Sequence, residues 1–156
     1  MLRYDYFWAE IRVQGGAYGA MTQFNRNGNM FFASYRDPNL SETLHVFDGT
    51  ADYLRHFTAS EREMDKYVIG TMSTLDMPLT PQMKGNLAVN CWFKGITQAD
   101  QQRLRDEVLS TRQPQIQALA DTIEDCMKQN ILCVFGNEVK LQENKQLFGK
   151  LTKIMD

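Results

Sequence analysis

Histidine is scarce in this chain of 156 residues: His45 and His56 are the only two, and neither lies in H-E-x-x-H or H-x-x-E-H. Cysteine is nearly as scarce. Cys91, Cys126 and Cys133 are odd in number and lack C-x-x-C spacing, which argues against a zinc knuckle or a disulfide framework. Buried free thiols in a reducing compartment are the expectation. No metal is expected within these residues, because two isolated histidines do not make a ligand set. Long apolar runs are also missing. The longest, Ile131 to Phe135, is far too short to span a bilayer, so no membrane partner is expected. Charge of one sign is missing too. Net charge is −2, and a pI of about 5.7 gives no basic footprint for nucleic acid. No charged segment followed by an apolar stretch and a small-residue cleavage site opens the chain.

What is present is a globular composition, 43% hydrophobic and 23% charged, long enough for one domain over residues 1–156 with a real core. Leu2, Tyr6, Phe7, Trp8 and Ile11 recur near helical spacing, so the chain starts inside an apolar helix. Such a beginning suits a C-terminal fragment of a much longer polypeptide. Gly15 and Gly16 can take positive φ and should stop that helix near Val13 or Gln14. Beyond them Tyr18, Ala20, Thr22 and Phe24 alternate onto one face of a strand. Asn25 to Gly28, N-R-N-G, reverses direction into a second strand ending near Tyr35. Asp37-Pro38 reads as the cap and first residue of a helix reaching Phe57 through Gly49.

Further helices follow from their own start signals. Ser60 with Glu63 is a capping box, Thr80-Pro81 starts a helix closed by Gly95, and Thr97 with Asp100 is a second capping box. That last helix should turn Leu104, Val108 and Leu109 inward. After Pro114 comes an amphipathic helix from Ile116 to Met127. Ile131 to Phe135 reads as a buried strand, and a last helix from Asn144 to Met155. The expected fold class is α+β: a two-layer α/β sandwich with an antiparallel hairpin plus a later C-terminal strand, covered by several helices. A sheet lacking upstream strands would leave an edge open to pairing, including a homodimer of the chain.

Function concentrates on Ile11 to Gly19, I-R-V-Q-G-G-A-Y-G. It matches neither phosphate-binding glycine pattern, G-x-x-x-x-G-K-[ST] or G-x-G-x-x-G. It does place Arg12 at a helix end and Tyr18 at a strand start, on either side of a tight turn. Both side chains can point into one cleft. The plain alternative is that Arg12 caps its own helix against the dipole and Tyr18 is a wall residue.

R-V-Q-G-G-A-Y-G is followed by F-A-S-Y-R-D-P at Phe32 to Pro38, Thr43-Leu44, I-G-T-M-S-T-L-D-M-P at Ile69 to Pro78, Lys84-Gly85, and V-F-G-N-E at Val134 to Glu138. This ordered set resembles the C-terminal part of the pitrilysin/insulinase-like zinc peptidases, in the presequence-protease branch. The resemblance implies a long chain folded as two halves around a chamber, with zinc held by an H-x-x-E-H motif in the N-terminal half, outside these residues. It implies that Arg12 and Tyr18 hold the peptide backbone at the scissile bond, with Tyr18 donating to the oxyanion. The partners it implies are short unfolded peptides and the N-terminal half of the same polypeptide. The setting is the bacterial cytoplasm or an organellar matrix. By itself the chain would be inactive. The alternatives are a non-catalytic scaffold or partner subunit of that family, and an independent α+β binding module.

Overall fold

The computed structural model describes residues 1–25 and 27–154. The chain gathers into two compact units: Met1–Tyr53 together with the described residues from Ala120 onward, and Leu54–Leu119.

The first unit opens with a π-helix, Leu2–Gln14. Its buried residues are Leu2, Phe7 and Ile11, spaced by five and then four. That repeat suits a helix whose N–H groups reach back five residues rather than four. Gly15 continues the pattern at the exit, its N–H donating to the Glu10 carbonyl at 3.0 Å. Two strands follow, β1 (Gly19–Phe24) and β2 (Met30–Tyr35), antiparallel in register from Gly19 opposite Tyr35 to Phe24 opposite Met30. The connection is tied by the Gly28 N–H to the Asn25 carbonyl (3.0 Å), with Gly28 at φ 86°. Arg26 of the expected N-R-N-G turn lies outside the described residues.

Helices α1 (Leu40–Asp48) and α2 (Thr50–Arg55) come next. The expected single helix from Pro38 to Phe57 is divided at Gly49, whose N–H closes α1 on the His45 carbonyl at 2.9 Å. The start also moves: Asn39, not Asp37, is the cap residue. Asp37 instead accepts the Asn39 N–H (2.9 Å) and the Thr43 hydroxyl (2.7 Å), turning the chain before the helix begins. Phe7, Ile11, Ala17, Ala20 and Phe47 form the core, and Phe32, Leu44 and Met127 pack on it. Phe7 meets Phe32 and Phe47 edge-to-face at 4.9 and 5.2 Å, the favoured aromatic geometry. Truncating fully buried Phe7 to Ala would cost about 3–5 kcal/mol.

In the second unit α3 (Glu61–Leu75) starts at the Ser60–Glu63 capping box, and α5 (Gln98–Ser110) at the Thr97–Asp100 box. Arg105 on α5 bonds Asp76, just past α3, at 2.7 Å. Between them α4 (Pro81–Lys94) is capped by the Thr80 side chain and ends on Gly95 at φ 64°. Leu109 is exposed, because the polar α5 buries no residue along its length. The helix expected after Pro114 forms as two pieces, α6 (Gln113–Gln117) in the second unit and α7 (Ala120–Met127) in the first.

Two expectations for the C-terminal stretch do not hold. Among the described residues the only sheet is the two-stranded hairpin, so α+β stands but the third strand does not. Ile131 to Phe135 is irregular, with Ile131 and Phe135 widely exposed. A strand needs a neighbour for its N–H and C=O groups, and β1 and β2 pair only with each other. Cys133, in this run, is exposed rather than buried. The last expected helix is instead α8 (Glu138–Glu143) followed by one 3₁₀ turn, Lys145–Leu147; Met155 lies outside the described residues.

Candidate functional site

Arg12 occupies the last turn of the π-helix and Tyr18 the residue before β1, as the sequence placed them. The turn between them is tightly held. The Gly16 N–H reaches the Arg12 carbonyl (3.0 Å) and the Ala17 N–H the Ile11 carbonyl (3.1 Å). The two glycines serve different needs. Gly16 adopts φ 76°, a left-handed conformation that side chains disfavour. Gly15 is right-handed at φ −80°, but a Cβ there would lie 2.6 Å from the Ile11 carbonyl oxygen. Only one of the pair therefore takes the positive φ that the sequence allowed to both.

The Arg12 guanidinium lies 3.8 Å from the Trp8 ring centroid, one of the tighter cation–π geometries. Among the described residues it makes no ion pair or side-chain hydrogen bond. A planar donor fork held from behind by an indole remains available to carbonyl or carboxylate oxygens. Tyr18 is 65% exposed, and its hydroxyl bonds no described residue. Its ring meets Tyr35 edge-on at 5.8 Å, with the Arg36 guanidinium 5.9 Å from the Tyr18 ring and 5.5 Å from that of Tyr35. Arg12 and Tyr18 share no direct hydrogen bond or cation–π contact; the glycine turn is what joins them.

A second loop is fastened to this turn. The Asn39 side-chain amide donates to the Gly15 carbonyl, and Asp37 holds Asn39 and Thr43 as described above. The Tyr18 N–H donates to both the Tyr35 (3.1 Å) and Arg36 (3.3 Å) carbonyls. Tyr35, Arg36 and Asn39 are thus bonded to the turn that carries Arg12 and Tyr18. The signal available was pairing: Gly19 opposite Tyr35 puts Arg36 across from Tyr18. Trp8 could have been found as the residue one turn before Arg12.

The described residues offer no group of three or more His, Cys, Asp or Glu arranged to hold a metal ion. The one carboxylate built into this loop, Asp37, is committed to Asn39 and Thr43. No described helix is long and apolar enough to cross a membrane.

The family described as the PreP C-terminal domain matches residues 1–136. Protein HypA of Clostridium perfringens (strain 13 / Type A) is 41% identical over 155 residues, which is 99% of this chain and 16% of that protein. Presequence protease 1, chloroplastic/mitochondrial, of Arabidopsis thaliana is 36% identical over 120 residues, 76% of this chain and 11% of the relative. The mitochondrial presequence protease of Emericella nidulans is 31% identical over 146 residues, 93% of this chain and 14% of the relative. The chain therefore spans about a sixth or less of the length of these relatives.

Proposed function

The chain belongs to the family of the PreP C-terminal domain, and from that membership we propose that it is the substrate-gripping part of a zinc metalloendopeptidase acting on short unfolded peptides. The observation that carries this reading is a free guanidinium and a free phenol hydroxyl flanking one rigid glycine turn. The family resemblance, not a feature of these residues, assigns zinc to the N-terminal half of the parent polypeptide. What this chain supplies is grip and hydrogen-bond donation by its own side chains.

Arg12 grips main-chain oxygens of the peptide on one side of the scissile bond, its fork matching carbonyl geometry. Tyr18 donates its hydroxyl to the scissile carbonyl oxygen as that oxygen becomes an oxyanion. A donor placed for the tetrahedral oxygen rather than the planar carbonyl lowers the barrier without tightening ground-state binding. Both groups address backbone atoms, which gives broad tolerance of peptide sequence. On this reading the chain needs the N-terminal half of the parent polypeptide for catalysis and is inactive without it. A bacterial relative, together with relatives named mitochondrial or chloroplastic, supports a bacterial cytoplasm or an organellar matrix as the setting.

Steady-state kinetics of the full parent enzyme test this. Tyr18→Phe lowers kcat by about 10²–10³ with little change in KM, the usual cost of one oxyanion donor. Arg12→Ala lowers kcat/KM for peptides of unrelated sequence alike. Wild-type turnover in a folded Tyr18→Phe enzyme would sink the assignment, as would peptidase activity of the isolated chain that survives extensive purification.

A further inference from the structure

We propose that Arg36 is a positioning residue for Tyr18, holding its ring in place and favouring the polarised state of its hydroxyl; this rests on the reading of Tyr18 as oxyanion donor. Arg36 has φ 48°, a conformation that a residue with a Cβ rarely adopts without compensation. The backbone on both sides of it is fixed. Its carbonyl, with that of Tyr35, accepts the Tyr18 N–H. Next in the chain, Asp37 takes the Asn39 N–H and the Thr43 hydroxyl, while the Asn39 amide reaches the Gly15 carbonyl. The strained residue is thereby bound to the very turn that carries Arg12 and Tyr18. Strain that is kept where the surroundings enforce it points to a side chain that must be aimed.

The Arg36 guanidinium is aimed at two aromatic rings, Tyr18 and Tyr35, and among the described residues it pairs with no carboxylate. Tyr18 is otherwise exposed, and Tyr35 braces it from one edge only. A cation beside the ring restricts the rotamers of that ring. It also favours the electron-rich phenol that develops as the hydroxyl gives up part of its proton to an oxyanion. Both effects operate through Tyr18, so Arg36 need not touch the substrate.

Glycine is the informative replacement, because it adopts φ 48° freely and removes only the side chain. In the full parent enzyme, Arg36→Gly is expected to keep a melting temperature at or above wild type. Its kcat should fall about two- to fivefold with KM unchanged, the range an exposed cation–π contact supplies. Arg36→Lys restores most of that loss. In a Tyr18→Phe background, adding Arg36→Gly changes kcat by less than about twofold, because the residue through which Arg36 acts has lost its hydroxyl. A rise in KM at constant kcat would overturn the proposal in favour of direct substrate contact. A loss of that size undiminished in the Tyr18→Phe background, or full activity in Arg36→Gly, would overturn it as well. If Tyr18→Phe lowers kcat while Arg36→Gly does not, only this inference fails; if Tyr18→Phe is itself fully active, the reading of Tyr18 fails and takes this one with it.

Discussion

The two glycines of the Arg12–Tyr18 turn should respond to substitution in opposite ways. At Gly16 the space is open, since the nearest atom to an added Cβ is the Pro38 ring carbon at 3.9 Å. Only the φ of 76° opposes a side chain there. Left-handed backbone costs about 1–2 kcal/mol for Ala, and the lost freedom of the unfolded glycine returns about 0.4–1 kcal/mol. Gly16→Ala is thus destabilising by about 1 kcal/mol, and Gly16→Asn by less, because Asn tolerates the left-handed region. At Gly15 the backbone is ordinary and the clash is steric, 2.6 Å to the Ile11 carbonyl oxygen and 3.2 Å to that of Glu10. Neither oxygen can move without breaking the helix exit. Gly15→Ala therefore costs about 1–3 kcal/mol, and Gly15→Asn recovers nothing. Urea unfolding of the chain followed by circular dichroism reads this directly. With a slope of about 1–3 kcal/mol per molar, 1 kcal/mol lowers the midpoint by roughly 0.3–1 M. Equal losses for Ala and Asn at position 16, or a neutral Gly15→Ala, would refute the assignment of backbone strain to one glycine and contact to the other.

Two further outcomes follow from buried polar groups in the first unit. Burial raises the phenol pKa of Tyr6, helped by nearby Glu10 and Asp52, and burial likewise raises that of Tyr53, on which Tyr6 stacks at 4.4 Å. A raised acid pKa means that the folded state favours the neutral phenol. Its stabilising contribution is complete below the unfolded value near 10 and is lost as pH rises through the folded value. Unfolding midpoints measured from pH 9 to 11 should fall, and fall less steeply in Tyr6→Phe; a flat profile for the wild type would contradict this. Thr50 is fully buried, and its hydroxyl has no hydrogen-bond partner among the described residues. Replacing it by Val removes a desolvated polar group of similar shape, so stability should hold or rise by about 1 kcal/mol, whereas a loss above about 1 kcal/mol would reveal an unseen partner for that hydroxyl.

Much of the local punctuation was legible in the sequence because its physics is local. Ser60 with Glu63, Thr97 with Asp100, Thr80-Pro81 and the left-handed Gly95 each act within one turn of helix, and each acts as the residue types imply. The hairpin was legible for the same reason, with alternation on both sides of a glycine turn. The π-helix was not. Leu2, Phe7 and Ile11 satisfy a loose helical spacing, which does not separate a five-residue reach from a four-residue one. The Ile131–Phe135 run failed for a different reason: it has the composition of a buried strand, but a strand depends on a neighbour that no local pattern supplies. Arg12 and Tyr18, the proposed site pair, stood out in the sequence through a motif. Arg36 did not stand out in the sequence, because its positive φ and the two rings beside its guanidinium are features of the folded hairpin that no local pattern signals.

Whether Tyr18 serves the transition state rather than the bound substrate can be decided by comparing two affinities in the full parent enzyme, wild type and Tyr18→Phe. One is the Ki of a phosphinic peptide, whose tetrahedral centre stands in for the oxyanion, and the other is the KM of the matching ordinary peptide. A transition-state donor requires that Tyr18→Phe weaken the phosphinic peptide by about 10²–10³ and leave the substrate within about threefold. Equal weakening of both would make Tyr18 a ground-state binding residue, and no change in either would remove it from the site.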